Sequence, residues 1–446
     1  MNLNEKFTTY AVGKTLSYIH KDPEKNLPKA VSLARKISPN AYSSQIDRIE
    51  EVINDPENVF YKYIINMLDT IDEDVFDKTI TNFMLNGVLF SEDLKRETRE
   101  KYNCNVPWTI LLDPTTACNL KCTGCWAAEY GKSLNLSYDE IDDIISQGKD
   151  MGIYFYIYTG GEPLVRKKDI LKIAEKHNDC EFLIFTNSTL IDDDFVDEML
   201  RLKNIVPAIS VEGSEFTTDA RRGDGTYSKV LEAMDKLKEN GLPFGISCCY
   251  TSMNYESIIS EEFVDDMIDR GALFAWYFHF IPVGKGTGKE LLPKPNQREH
   301  VYYELRKFRK TKPLFFLDFQ NDAEYIGGCI AGGRNYLHIN ANGDVEPCVF
   351  IHYSDSNIRE KSLLESLQAP LFMAYHDGQP FNENMLRPCP MLENPQLLRN
   401  MVKKSQAKST DILEKEEVDE LCDKCEDYAS NWKPTADKLW EESLKR

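Results

Sequence analysis

Two rhythms of apolar residues divide the chain. Up to about residue 103 the segments are rich in Leu, Ile and Lys and read as helices. They stop at Asp22-Pro23, Ser38-Pro39 and Asp55-Pro56, because proline steers the residue before it out of the helical region. The two most apolar stretches there, "VFYKYIINMLDTI" (59–71) and "VFDKTITNFMLNGVLF" (75–90), read as faces for helix–helix packing.

From Trp108 short apolar runs alternate with amphipathic ones. "WTILLD" (108–113), "IYFYIYT" (153–159), "CEFLIFTN" (180–187), "IVPAISVEG" (205–213), "FGISCCYT" (244–251) and "LFAWYFHFIPVG" (273–284) read as strands. Between them, Ser137 and Glu140 predict a capping box for a helix ending near Gly152. Further helices are expected near 167–177, 192–202 and 226–240. The last sets Tyr227, Val230, Leu231, Met234 and Leu237 on one face, with Gly241 past its end. Six β–α units with strands apolar throughout predict an α/β fold on a parallel sheet covered on both faces, either open or closed into a full or partial barrel. Chemistry in such folds gathers at the C-terminal ends of the strands. After about 325 the pattern breaks into glycine clusters, and "KKSQAKSTDILEKEEVDE" (403–420) reads as a polar surface segment or exposed helix.

Composition narrows the function. Hydrophobic residues make up 42% and charged residues 28%, ordinary for a globular chain of 446 residues with a sizeable core. A net charge of −20 argues against nucleic acid as a partner and against docking on an anionic membrane by charge. The N-terminus lacks a signal-peptide pattern. No apolar run reaches the roughly 18 residues of a membrane span. A cytoplasmic location is expected, and there twelve cysteines point to metal ligation or catalysis rather than disulfides.

Three of those cysteines, Cys118, Cys122 and Cys125, stand in "DPTTACNLKCTGCWAAEYG" directly after the first strand, spaced C-x3-C-x2-C. A structural zinc wants four ligands and a disulfide wants a pair. Three thiolates suit a cubane iron–sulfur cluster whose fourth iron stays open to an external chelator.

This loop, with "TGGEP" (159–163) closing the second strand, resembles the radical S-adenosylmethionine (SAM) family over roughly residues 108–290. The resemblance implies a partial (βα)6 TIM-like barrel. It also implies that a reduced [4Fe-4S] cluster cleaves SAM to methionine and a 5′-deoxyadenosyl radical, which takes a hydrogen atom from an unactivated C–H bond. The cofactor carries the chemistry while the protein orients substrate and excludes water. Thr159, Gly160, Gly161, Glu162 and Pro163 would form the segment at the SAM amino group. Asn187 ends strand three, Ser210 and Glu212 stand at the ribose and methionine segment, and Arg222 suits the SAM carboxylate. "FIPVG" (280–284) would lie near adenine. Relatives often carry an aromatic residue before the third cysteine; here Gly124 holds that place and Trp126, expected at the adenine, follows.

A second cysteine set lies in the C-terminal region. Cys329, Gly343 and Cys348 resemble the opening of a SPASM or twitch extension, with "ANGD" as a hairpin turn. Adding Cys422 and Cys425 gives four ligands for one auxiliary [4Fe-4S] cluster, or for a zinc. Cys389 in "RPCPMLENP" is left over, to replace one of the four or stay free. Cys104, Cys180, Cys248 and Cys249 read as small buried hydrophobes. The expected organisation is a helical region (1–103), a radical SAM core (104–325) and a small α+β SPASM/twitch-like region (326–446).

An electron donor such as ferredoxin or flavodoxin and an anaerobic host follow from this chemistry. The substrate is open between a lipid or fatty-acyl chain, a ribosomal peptide and another small molecule. Residues 1–103 lack the β-hairpin of a peptide-leader domain. Their apolar helices, with "WYFHF" (276–280), could instead line a hydrophobic groove, where His279 touches substrate or is a satisfied core histidine. Two other classes remain at this point: an electron-transfer iron–sulfur protein without SAM, and a zinc-bound scaffold.

Overall fold

The computed structural model describes residues 3–37, 43–284 and 287–445. The Ser38-Pro39 step lies outside them. The N-terminal region is helical, as its composition predicts. Its helices run Leu3–Ile19, Pro23–Ile37, Ser43–Ile53, Val59–Thr70 and Glu73–Thr79. The last passes into a wide π-helix, Ile80–Phe90, before Glu92–Tyr102. Breaks fall at Asp22-Pro23 and Asp55-Pro56. Asn58 caps Val59–Thr70 by accepting from Phe60 N, and Asp72 caps the next helix by accepting from Asp74 N and Val75 N.

The six expected strands form in order: β1 (Thr109–Leu112), β2 (Phe155–Tyr158), β3 (Glu181–Thr186), β4 (Ile205–Ser210), β5 (Gly245–Tyr250) and β6 (Phe274–His279). Each pairs in parallel with the next. The Ser137–Glu140 capping box is present. The sheet then exceeds the expectation. β7 (Phe315–Asp318) adds in parallel to β6. β8 (Tyr336–Ile339), drawn from beyond residue 325, adds in parallel to β1 and forms an antiparallel hairpin with β9 (Val345–Glu346). The order is β7-β6-β5-β4-β3-β2-β1-β8-β9, the sequential winding of an incomplete barrel. A separate antiparallel pair joins β10 (Tyr353–Ser354) to β11 (Lys408–Ser409).

Strand residues alternate between two cores, which is why the runs are apolar throughout. Ile110, Leu112, Tyr156, Tyr158, Phe182 and Ile184 pack outward under the helices. Leu111, Phe155, Ile157 and Leu183 pack inward. Burying such side chains contributes about 1.5–3 kcal/mol each.

The N-terminal helices close the end of the barrel opposite the cysteine loop. Asn82 Nδ2 donates to Asn178 O and Cys180 O at 3.1 and 2.9 Å, just before β3 begins. Asp72 N donates to Gly241 O before β5. Phe83 meets Trp108 and Phe155, at the starts of β1 and β2, edge-on at 5.3 and 5.2 Å. These helices therefore plug the bottom of the barrel. Among the described residues they do not join "WYFHF" in a groove at the chemical end.

Candidate active site

The loops after the strands converge on one cavity of about 180 Å³ at the C-terminal end of the sheet. Cys118, Cys122, Cys125 and Trp126 line it from the loop after β1, Thr159, Gly160, Gly161 and Glu162 from the turn after β2, and Asn187 from the end of β3. Ser210 and Arg222 complete the set of sequence-predicted residues that face it. Pro163 and Glu212 do not line it. Pro163 opens a short 3₁₀ turn, and Glu212 is fully buried beneath the wall.

Glycine in "TGGEP" is a packing requirement. A Cβ on Gly161 would stand 2.2 Å from Ala117 O, and one on Gly160 would stand 2.7 Å from Thr115 O. That closeness lets Gly161 N donate to Thr115 O (3.0 Å) and Glu162 N to Ala117 O (2.9 Å), which fixes the approach to Cys118. The Glu162 carboxylate is buried and accepts from Asn187 N (2.8 Å), Leu164 N (3.0 Å) and Thr186 Oγ1 (2.7 Å). Burial raises its pKa, and those donors oppose the shift. Asn119, inside the cysteine loop, accepts from Asn187 Nδ2 and donates to Thr189 Oγ1, both at 2.8 Å.

Gly124 has its own reason. At φ +68° a Cβ there would strike the Phe280 ring at 2.7 Å and Leu291 at 2.8 Å. Phe280, from the loop after β6, thus fills the space that a side chain at position 124 would need. Trp126 faces the same cavity.

Arg221 and Arg222 both pair with Glu212, Arg222 Nε at 2.9 Å. Glu212 also accepts from Cys249 N at 3.1 Å. Arg222, expected at a SAM carboxylate, therefore begins from a buried ion pair. Cys249 is only half-buried and lines the cavity, in contrast to the buried Cys104, Cys180 and Cys248. Burial raises the thiol pKa of Cys118 and Cys125; the Leu120 N–H opposes it at the former, and Arg221 and Arg222 oppose it at the latter. His279 is a satisfied core residue despite touching the cavity: Nε2 meets Tyr428 Oη at 2.7 Å, and Nδ1 faces Phe280 O. Burial holds its pKa well below the usual imidazole value.

Behind this wall lies a smaller, apolar cavity that shares Ile281 and Phe350 with the first. Cys329, Cys348 and Cys389 line it together. Cys422 and Cys425 sit one turn apart near the start of the helix Val418–Ser443, fully buried in the same core. Tyr336 Oη donates to Cys348 Sγ at 2.6 Å. Burial pushes Cys329, Cys422 and Cys425 up to about 12, and Cys348 to about 11, where Tyr336 opposes it. The buried Tyr375 hydroxyl has no hydrogen-bond partner, and after burial its largest influences are Cys329, Cys348, Cys389 and Cys422. Among the described residues no three His, Cys, Asp or Glu side chains form a group that could hold a single metal ion.

The structure also reveals a buried polar string that sequence reasoning missed. Thr159 Oγ1 donates to Asp113 Oδ1 at 2.7 Å, His338 Nε2 lies 3.0 Å from the same oxygen, and His338 Nδ1 lies 2.6 Å from Glu346. Burial would lower the His338 pKa, but Asp113 and Glu346 outweigh it and hold the imidazole at about 10. Thr410 donates to Glu346, and Asp411 pairs with His352 at 2.6 Å. The 403–420 segment is mostly exposed, as expected, but Thr410, Asp411 and Glu416 turn inward from it.

Known proteins match this architecture. The Radical SAM superfamily model matches residues 112–267. An AdoMet-dependent heme synthase of Methanosarcina barkeri is 27% identical over 344 residues, covering 70% of this chain and 96% of that protein. A GTP 3′,8-cyclase of Thermodesulfovibrio yellowstonii is 25% identical, covering 60% of this chain and 88% of that protein. Among solved structures, Streptococcus suis SuiB bound to its precursor peptide SuiA superimposes with a TM-score of 0.56 at 22% identity, covering 74% of this chain and 79% of that one. At that identity the likeness is one of fold. With the family match running from the end of β1 to past β5 and the three-cysteine loop facing the TGGEP turn, residues 112–267 are a radical SAM domain, a class whose cofactors are a [4Fe-4S] cluster and S-adenosylmethionine.

Proposed function

We propose that this enzyme binds a [4Fe-4S] cluster through Cys118, Cys122 and Cys125, cleaves SAM there, and modifies an apolar substrate at an unactivated C–H bond. The observation that carries the reading is the meeting of those three thiols with the TGGEP turn in one cavity at the strand ends. When bound, cluster and SAM together supply an electron and a 5′-deoxyadenosyl radical. The chain's own part is to hold and shield. The Gly160–Gly161 backbone gives close approach at the methionine end, Trp126 and Phe280 offer ring faces to adenine, and Glu212 keeps Arg221 and Arg222 fixed at the rim.

The substrate side of the cavity favours apolar or ring-bearing molecules. Phe278 stands 5.7 Å from Phe185 and 6.5 Å from Phe350, and all three line it. Among the described residues the lining has no lysine, and both its arginines are paired with Glu212. Such a wall disfavours a triphosphate such as GTP. With the described N-terminal helices at the barrel bottom, a fatty-acyl substrate loses the support of a groove they would share with the site.

An auxiliary [4Fe-4S] cluster fits the second cysteine set. Cys329, Cys348 and Cys389 line one apolar cavity, and Cys422 and Cys425 are buried in the same core. The ligand set this supports is Cys329, Cys348, Cys389 and Cys422. Cys389 enters the set because it shares one cavity with Cys329 and Cys348, and Cys422 is taken as the fourth ligand from the buried Cys422–Cys425 pair.

The test is anaerobic reconstitution, then SAM and dithionite. The wild type should yield 5′-deoxyadenosine and methionine, and Cys118→Ala neither. Iron and sulfide without SAM cleavage would favour an electron-transfer protein instead, and zinc without iron a scaffold.

A further inference from the structure

β8 comes from beyond the barrel, yet it pairs beside β1 with His338 opposite Leu111, the β1 residue that lines the SAM-end cavity. His338 therefore lies on the cavity-facing side of the sheet. Its ring meets the indole of Trp126 edge-on, with centroids 5.7 Å apart and planes at 82°. Trp126 immediately follows Cys125 and lines the cavity. The same imidazole faces Asp113, which accepts from Thr159, the first residue of the TGGEP turn. On its other side stands Glu346, two residues before Cys348.

Glu346 is saturated. Tyr130 Oη lies 2.9 Å from both its oxygens, Asn340 Nδ2 donates at 2.9 Å, and Thr410 donates as well. Asp113 Oδ2 has no partner, although the residue is fully buried. Two carboxylates and the imidazole between them are each 0% exposed. Burying ions costs several kcal/mol apiece, and an apolar replacement of such a set is often neutral or stabilising. Fold stability alone does not account for this string. Its geometry does: one buried imidazole meets both the residue after the third cysteine and, at 3.0 Å from Asp113, the TGGEP turn through Thr159.

We infer that His338 is a positioning residue for SAM, clamping Trp126 and the Asp113–Thr159 pair from the strand that also leads to Cys348. This rests on the SAM-cleavage reading above. The indole is also flanked by Tyr130 (6.2 Å), His352 (6.2 Å) and Phe350 (6.4 Å); His338 is the neighbour that ties it to the Asp113–Thr159 pair.

The experiment is a double-mutant cycle on the full, anaerobically reconstituted chain. SAM dissociation constants are read from the SAM-induced change in the EPR spectrum of the reduced cluster, with iron and sulfide counted in parallel. His338→Gln should weaken SAM about tenfold with iron and sulfide unchanged. Trp126→Leu should weaken it comparably, and the double variant by no more than about twofold beyond the worse single one. Multiplying losses, an unchanged SAM affinity in His338→Gln, or iron lost in step with SAM would each overturn the assignment. Should His338→Gln fail to fold, Asp113→Asn runs the same cycle, since it keeps an oxygen toward Thr159 and His338 while removing a charge. A wild type that holds iron but shows no response to SAM would defeat the proposed function itself, a different outcome from an unresponsive His338→Gln.

Discussion

Tyr336→Phe tests the auxiliary site with the least disturbance to the fold. The side chain is buried, and its hydroxyl donates to Cys348 Sγ at 2.6 Å. Phenylalanine keeps the ring and deletes that one bond. A hydrogen bond to a charged acceptor contributes about 1.5–3 kcal/mol. Hydrogen bonds to cluster sulfurs stabilise the more negative, reduced state and help set the potential. If about half of that energy differs between oxidation states, roughly 0.75–1.5 kcal/mol is lost on reduction. At about 59 mV per 1.4 kcal/mol for one electron, the auxiliary potential should fall by about 30–65 mV. The assay is an EPR-monitored redox titration of the reconstituted protein, with both clusters followed in one experiment. The SAM-binding cluster should keep its potential, because its ligands lie in the other cavity. An auxiliary potential that stays fixed or rises, or a shift confined to the SAM-binding cluster, would refute the placement of Cys348 at the auxiliary site.

Four further outcomes are expected. Cys389→Ala should cost about four irons per chain by metal analysis and leave the SAM-induced EPR change intact, whereas Cys425→Ala should retain them. Gly161→Ala should sharply weaken SAM binding at full iron content, since its Cβ would lie 2.2 Å from Ala117 O; binding within twofold of wild type would argue against that close approach. Arg298→Met strands the buried Glu393, which pairs with Arg298 at 2.6 Å and accepts from Cys389 N. It should lower unfolding stability by about 3–5 kcal/mol in denaturant titrations. Glu181, buried against the π-helix, has its pKa raised by burial to about 8 from 4.5. Below pH 4.5 both states are protonated and it costs nothing. As pH rises toward 8 only the unfolded chain releases the proton, so stability falls, by an amount on the order of several kcal/mol. Glu181→Gln should flatten that slope between those two pH values in urea unfolding series; an unchanged slope would contradict it.

Much of this protein was determined by local sequence. Strand and helix positions from β1 to β6 follow from runs of four to six apolar residues and from caps such as Ser137–Glu140. The cysteine loop and "TGGEP" were legible because thiolate spacing and paired glycines are constraints that neighbouring residues carry together. Tertiary structure alone decided the rest. β8 is a four-residue strand with no signal for pairing beside β1, more than two hundred residues earlier in the chain. That pairing created the Asp113–His338–Glu346 string and brought Thr410 and Asp411 inward from a segment that reads as surface. Cys389 lacked a partner in its own stretch, and its place beside Cys329 and Cys348 exists only after three distant loops meet around one apolar cavity. Propensity and periodicity act over one or two turns of chain. Where a buried charge or a cluster thiol finds its partner depends on which distant backbones pack together, and that is settled by burial of the whole sheet.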